Sequence, residues 1–406
     1  MNKNLRYLAG LVVPVLLVAA CGGSSDSGGS SESGSASASA SGGGSGEPLV
    51  VGFAGGLTGD AAVGDVAALE GMTYCIDQVN ANGGIDGHPV ELIAKDMKSD
   101  TALGGTVAQE LIDSGVDVLV GPAFPGMAVG VVQAAATAGI PVLSAVATQP
   151  EYTVVGGAPV YLAAFGDNVQ AAAAAEYALK EGAKTSFTVS SPDLTYTSNT
   201  PKWFAEVFEA GGGKNLGDVT FNLGQTDFSA QVTEIANLPE EPDVIFTAMF
   251  PPDTSSFIRA LRAAGVKSRM IGADGFDTVA LLDAGADAVE GTWFTTHGWN
   301  TDGTPFADYV AGVEKANGAP PEAPALSALG CSTVQVIEAA VKAAGSVDPA
   351  AIAAALPNLE NVETITGTIS YAGTTGVPGK TVTIGGIEGG EFVFKDAFVP
   401  ANIPQP

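Results

Sequence analysis

The chain has 406 residues, with 44 Asp or Glu against 16 Lys or Arg, for a formal charge of −28 at pH 7. So large an acidic excess excludes a phosphate-tracking nucleic-acid surface and a basic membrane-binding face, both of which need clustered cations. The three Cys and two His show no zinc-site spacing, so no metal is expected.

In chain order, the first segment reads as an export signal: Lys3 and Arg6 supply positive charge, and residues 8–20 form an apolar core interrupted by Pro14. That core falls short of the about 20 apolar residues that a bilayer span requires. Val18-Ala19-Ala20-Cys21 resembles the bacterial lipobox, which implies cleavage after residue 20 and a diacylated Cys21. Two acyl chains anchor firmly where one does not. Residues 22–46 are almost wholly Gly, Ser and Ala and can bury nothing, so they are expected to act as a flexible tether. Residues 1–20 are therefore assigned as a lipoprotein signal peptide and 21–48 as the acylated Cys with its linker.

From Leu49 short β-branched runs alternate with Ala-rich amphipathic stretches, the pattern of a parallel sheet covered by helices. Strands are predicted at 49–55, 90–96, 116–122 and 141–147, with helices around 65–81, 101–114 and 126–138. "YLAAFGDN" (161–168) interrupts the rhythm. A second series follows, with strands at 185–191, 218–224, 243–249 and 269–275 and helices between them. The segment 291–300 then leads to helices near 304–316 and 325–344, and the chain ends in the β-like "TGTISYA" and "EFVFKDA". About 350 residues arranged in this doubled α/β pattern suit two lobes. Cys75 and Cys331 can pair in an oxidising compartment or remain buried thiols on two helices.

In open α/β sheets ligands bind beyond the carboxyl ends of the strands. That rule directs attention to the loops 55–60, 121–127 and 145–152 in the first series and 190–196, 248–254 and 272–278 in the second. The first set is rich in Gly, Thr and small residues whose N–H groups lie open at helix starts and favour an anion. The second set offers aromatics and Asp274, a carboxylate that suits an ammonium or serves as a helix N-cap. The glycines of "GFAGGLTG" do not form G-x-G-x-x-G, no Walker sequence occurs, and there is no G-x-S-x-G elbow, so no nucleotide site or local hydrolase signature exists. His88 sits in the turn "DGHPV" and His297 in a segment with the look of an interlobe connection, and both read as surface or linker residues.

The stretch "NANGGIDGHPVEL" (80–92) resembles the helix end, turn and second strand of the type I periplasmic binding proteins of ABC importers, in the leucine/isoleucine/valine-binding branch. The likeness runs from about residue 49 to 395, through "VGPAFPGMAVGVVQAAATAGIPVLSAVATQPE", "DFSAQVTEIAN", "PDVIFTAMFPPDTSSFIRALRAAG" and "IGADG". It implies an α/β fold of two Rossmann-like lobes with parallel sheets, joined by a three-strand hinge near 161–168, 289–300 and 362–370, with the ligand cleft between. The first lobe would comprise 49–163 with 298–363, and the second 164–297 with 364–406. By position, Ala147 and Thr148 would contact the ligand's α-amino and carboxylate groups, and Asp274 would pair with the ammonium. Tyr196 would cover the ligand, while Phe250 with Pro251, and Phe124 with Gly126, would complete the site. Pro125 stands where the family often has a carboxylate-binding Ser, and it has neither hydroxyl nor N–H. In this topology Cys75 and Cys331 both fall in the first lobe, where a bond would leave the hinge free.

The resemblance implies an extracytoplasmic, lipid-anchored binding protein, not an enzyme, with no cofactor and no catalytic residue. It would capture a small polar solute, an amino acid of the branched-chain type foremost, by hinge closure and deliver it to an ABC permease and its ATPase. The alternatives are a ligand lacking an amine (an amide, a urea or an aromatic acid) and a tethered ligand sensor, with an exported hydrolase less well supported.

Overall fold

The structure, a computed structural model, describes residues 46–59 and 62–405; the expected export signal, Cys21 and nearly all of the expected linker lie outside the described residues. The first lobe is built from β1 (Leu49–Gly55), α1 (Ala62–Ala81), β2 (Val90–Asp96), α2 (Gly104–Asp113), β3 (Val118–Gly121), α3 (Pro125–Ala138), β4 (Val142–Ser144) and β5 (Val160–Leu162). Its strands pair in parallel in the order β2-β1-β3-β4-β5. β3 and β4 are buried throughout, as strands with helices on both faces must be. The interruption read at residue 161 thus begins inside β5, a short fifth strand.

The second lobe follows with α4 (Asp167–Lys180), β6 (Thr185–Ser190), α5 (Thr195–Ala210), β7 (Lys214–Thr220), α6 (Ser229–Ala236), β8 (Val244–Thr247), α7 (Asp253–Ala263), β9 (Arg269–Gly272), α8 (Ala286–Val289) and β10 (Trp293–Thr296). The chain then returns through α9 (Pro305–Asn317), α10 (Pro324–Ala344), α11 (Pro349–Ala355), β11 (Val362–Thr364), β12 (Gly367–Ser370) and β13 (Gly379–Lys380). It ends in β14 (Val382–Glu388) and β15 (Glu391–Phe398). The second sheet runs β15-β14-β10-β9-β8-β6-β7. Its last two strands are antiparallel, because β14 and β15 form a hairpin closed by Gly389 and Gly390, both with positive φ (62° and 79°).

Three expectations need correction. β7 lies four residues ahead of the predicted 218–224, since it is a half-exposed edge strand with a weak apolar signal, and Phe221 packs instead with Phe228 in the second lobe's core. β10 is a strand of the second sheet, so that crossing starts at His297 and not at residue 289. Ile369 and Tyr371, expected in the second lobe, lie in the apolar cluster of the first, so the third crossing falls after Tyr371.

Helices α1 and α10 run with their backbones in contact. A Cβ on Gly71 would lie 1.7 Å from the Ser327 carbonyl oxygen, and one on Gly330 would lie 2.0 Å from that of Ala68. Cys75 and Cys331 are disulfide-bonded across this contact, with Cα atoms 5.3 Å apart and a sequence separation of 256. Both belong to the first lobe's apolar cluster, so the bond spans no hinge. Removing it by Cys75→Ala with Cys331→Ala should cost about 2–4 kcal/mol of stability through a freer unfolded chain. Thermal melts of the double variant should fall by several degrees with ligand affinity unchanged; a coincident melt would refute the claim.

Candidate functional site at the hinge

Directly after β9 the chain makes a single 3-10 turn, Asp274–Phe276, which places the Asp274 carboxylate at the carboxyl end of the second sheet. Its Oδ1 accepts from the Tyr196 hydroxyl at 2.8 Å and from Gln170 Nε2 at 3.0 Å, while Oδ2 accepts from His297 Nε2 at 3.1 Å. Gln170 also uses its Oε1, which accepts from the Asp274 N–H (3.0 Å) and the Thr295 hydroxyl (2.7 Å). Burial alone would push the Asp274 carboxyl up, but His297, Gln170 and Tyr196 outweigh it and hold the group below the usual carboxylate range. The side chain keeps 17% exposure, so the ionised group still reaches solvent in the cleft.

Tyr196 comes from the first turn of α5, and its oxygen also accepts the Gly275 N–H at 3.0 Å. A side chain here would crowd the bond: a Cβ on Gly275 would sit 3.1 Å from the Tyr196 hydroxyl and 3.0 Å from the Met249 carbonyl oxygen. The Phe250 ring lies 6.5 Å from that of Tyr196 and is 37% exposed. The second lobe thus offers one anion flanked by aromatic and apolar surface.

On the first lobe, Phe124 caps the start of α3 and is 44% exposed, Pro125 occupies the first helical turn, and Gly126 faces open space. Asp65 of α1 holds the neighbouring loops together, accepting from the Gly56 N–H at 2.7 Å and the Ala123 N–H at 2.9 Å. Burial raises its carboxyl to about 6 against those two bonds. Ala147 and Thr148 are buried in the loop after β4. The Thr148 carbonyl accepts the Asp167 N–H at 2.7 Å, and its side chain bonds the Asp167 carboxyl. Burial, reinforced by the charge of Asp274, lifts Asp167 to about 8, so it is neutral at pH 7. With Gln170 Nε2 2.9 Å from Asp167 Oδ1, a chain of hydrogen bonds runs from Thr148 through Asp167 and Gln170 to Asp274 and joins the lobes.

The three crossings meet around this chain. The His297 ring stacks on Phe165 of the first crossing at 3.8 Å and 20°. Tyr371 donates to the Leu162 carbonyl at 2.7 Å. Lys380 of β13, wholly buried, donates to the Ala163 carbonyl at 2.6 Å and to the Thr366 hydroxyl at 2.7 Å, and burial lowers its ammonium to about 7. His297 therefore lies in an interlobe connection as expected, but it is 2% exposed and no surface residue.

The structure brings Asp274, Tyr196 and Phe250 together on one lobe and sets Phe124, Pro125 and Gly126 on the other. Sequence reasoning missed Asp65, Asp167, Gln170 and Lys380. Asp167 and Gln170 were available as a polar pair three apart at a helix start, but such pairs usually serve as caps. No residue among those described bonds His297 Nδ1, so the His–Asp pair has no hydroxyl nucleophile beside it. What the arrangement can do is receive a cation at Asp274 and enclose an apolar group beside it.

A family described as periplasmic binding protein matches residues 48–391. A Leu/Ile/Val-binding protein, BraC3, from Rhizobium johnstonii is 28% identical over 348 residues, covering 85% of this chain and 93% of its own. Among solved structures, a leucine-binding protein LivK from Thermotoga maritima is 26% identical with a TM-score of 0.72, covering 87% of this chain and 99% of its own. The branched-chain amino acid substrate-binding protein LivJ from Streptococcus pneumoniae, solved with isoleucine, is 25% identical with a TM-score of 0.71 over the same shares.

Proposed function

Because the chain belongs to the periplasmic binding protein family, we propose that it works outside the cytoplasm, capturing a branched-chain amino acid between its lobes and presenting it to an ABC permease. The observation that carries this reading is Asp274, an ionised carboxylate held at the hinge with one oxygen saturated and the other retaining an open acceptor position. An ammonium completes that position, and the exposed Phe250 and Phe124, one on each lobe, offer apolar surface to the side chain of such a ligand. Closure follows because a ligand touching both lobes favours the state in which both contacts exist. The names of the relatives agree with the same ligand class.

A second reading, a ligand without an amine such as an aromatic acid, is favoured by Pro125, which offers the carboxylate no donor, and by the exposed Phe124 and Phe250. A thermal-shift screen of leucine, isoleucine, valine, benzoate and small amides separates the two, since only a ligand of the native state raises the melting temperature. Shifts with the amino acids support the first reading; a shift with benzoate alone replaces it.

Lipid attachment at Cys21 is part of the proposal. Cys21→Ser should move the protein from the membrane fraction to the soluble fraction with ligand affinity intact, because tether and cleft are separate in sequence. Continued membrane retention of the variant would rule the anchor out.

A further inference from the structure

We propose that His297 is a specificity-determining residue of the cleft: as a neutral imidazole donating through Nε2 it leaves Asp274 its full charge and one open acceptor for a ligand ammonium, and once protonated it cancels that charge and expels the amine. This rests on reading the cleft as an amine site.

The geometry assigns the tautomer. A neutral ring bonded to a carboxylate at Nε2 must carry its proton there, which leaves Nδ1 bare, and Nδ1 is buried with no donor among the described residues. Stacking on Phe165 of the neighbouring crossing holds the plane of the ring against Asp274. Ammonium and imidazolium would then compete for one carboxylate. Oδ1 is already taken by Tyr196 and Gln170, so the ligand must bind Oδ2, the oxygen that His297 occupies. Two cations sharing one carboxylate oxygen repel, so binding the amine and binding the proton oppose each other.

The charged groups around the ring set the direction. Asp274, on the turn after β9, favours the imidazolium, and Lys380 of β13 opposes it. Burial opposes it more strongly than either, and the net result is an imidazole below its usual range, neutral at pH 7.5. Asp167 at the start of α4 is neutral at pH 7, and Asp277, bonded by Thr296 next to His297, is pushed up by burial to about 6. Asp167, Asp277 and Lys380 titrate near 8, 6 and 7, so a variant is needed to isolate the ring.

The test is calorimetric titration of the full chain with L-leucine from pH 7.5 to 5.0, for the parent and for His297→Gln, whose amide keeps an N–H donor but cannot gain a proton. The parent should lose affinity on acidification, approaching about tenfold per pH unit below the midpoint of His297. The Gln variant should stay within about threefold across the range. With only His88 and His297 in the chain, histidine-labelled NMR with a His88→Asn control assigns the ring. It should show the Nε2–H tautomer and a midpoint lowered further by saturating leucine. Parallel pH profiles for parent and variant would overturn the role of His297 alone. An Nδ1–H tautomer would do the same even if the variant failed to fold. Failure of leucine to bind either protein at any pH would overturn the amine reading and this role with it.

Discussion

Replacing Asp274 with Ala is expected to weaken leucine binding by about 2–5 kcal/mol, which at tenfold per about 1.4 kcal/mol is a loss of roughly 30- to 4,000-fold. The size follows from the carboxylate's setting. Tyr196, Gln170 and His297 all donate to it, so its charge is maintained in a site largely withdrawn from water, where an ammonium partner gains most. Truncation also strands those three donors, so part of the loss reflects a rearranged cleft. Asp274→Asn, which keeps the shape and one acceptor oxygen while removing the charge, separates the two effects and should retain the fold but lose most of the affinity. Calorimetry with both variants decides the matter, and unchanged affinity in Asp274→Asn would remove this residue from the ligand's cation.

The second large effect is on stability against pH and comes from Lys380. Its ammonium titrates near 7 in the folded chain against 10.5 for the ordinary group, because it is buried with no carboxylate partner among the described residues. Between those values the unfolded chain holds a proton that the folded one does not, so stability rises with pH by up to about 1.4 kcal/mol per unit. Asp167 acts in the opposite sense: its raised folded value gives stability that is lost as the pH climbs to about 8. Above about 10 the buried tyrosines, whose hydroxyls burial also raises, again favour unfolding as the pH increases. The clean window is therefore pH 8 to 9.5, where the parent should gain about 2 kcal/mol relative to Lys380→Met. Urea denaturation of both proteins across that window tests it, and parallel stability curves would mean that Lys380 keeps its charge when buried.

Much of the architecture was legible in the chain because its signals are local. Apolar runs such as "LVVGFAG" and "VDVLVGP" declare strands covered on both faces, and the glycines of "NANGGIDGHPVEL" take positive φ at Gly83, Gly84 and Gly87, where the turn demands it. The loops that carry Asp274, Tyr196 and Phe250 were marked by a rule that needs only the strand order, that loops at the carboxyl ends of parallel strands line the cleft, while the roles expected of Tyr196 and Phe250 came from the family resemblance. β7 was misplaced because an edge strand carries little apolar signal, and the hinge segments were displaced because nothing in a short run tells a crossing from the strand beside it.

The sequence by itself determined the two α/β lobes and the loops from which a cleft would be built, since periodicity, turn residues and charge act over neighbouring positions. Only the tertiary structure decided that Cys75 meets Cys331, that Lys380 is buried on the hinge, and that Gln170 and His297 support Asp274. Those partners are brought together by chain crossings from 23 to 256 residues apart. Burial, which determines what each charge does, belongs to the packed assembly and to no single stretch of it.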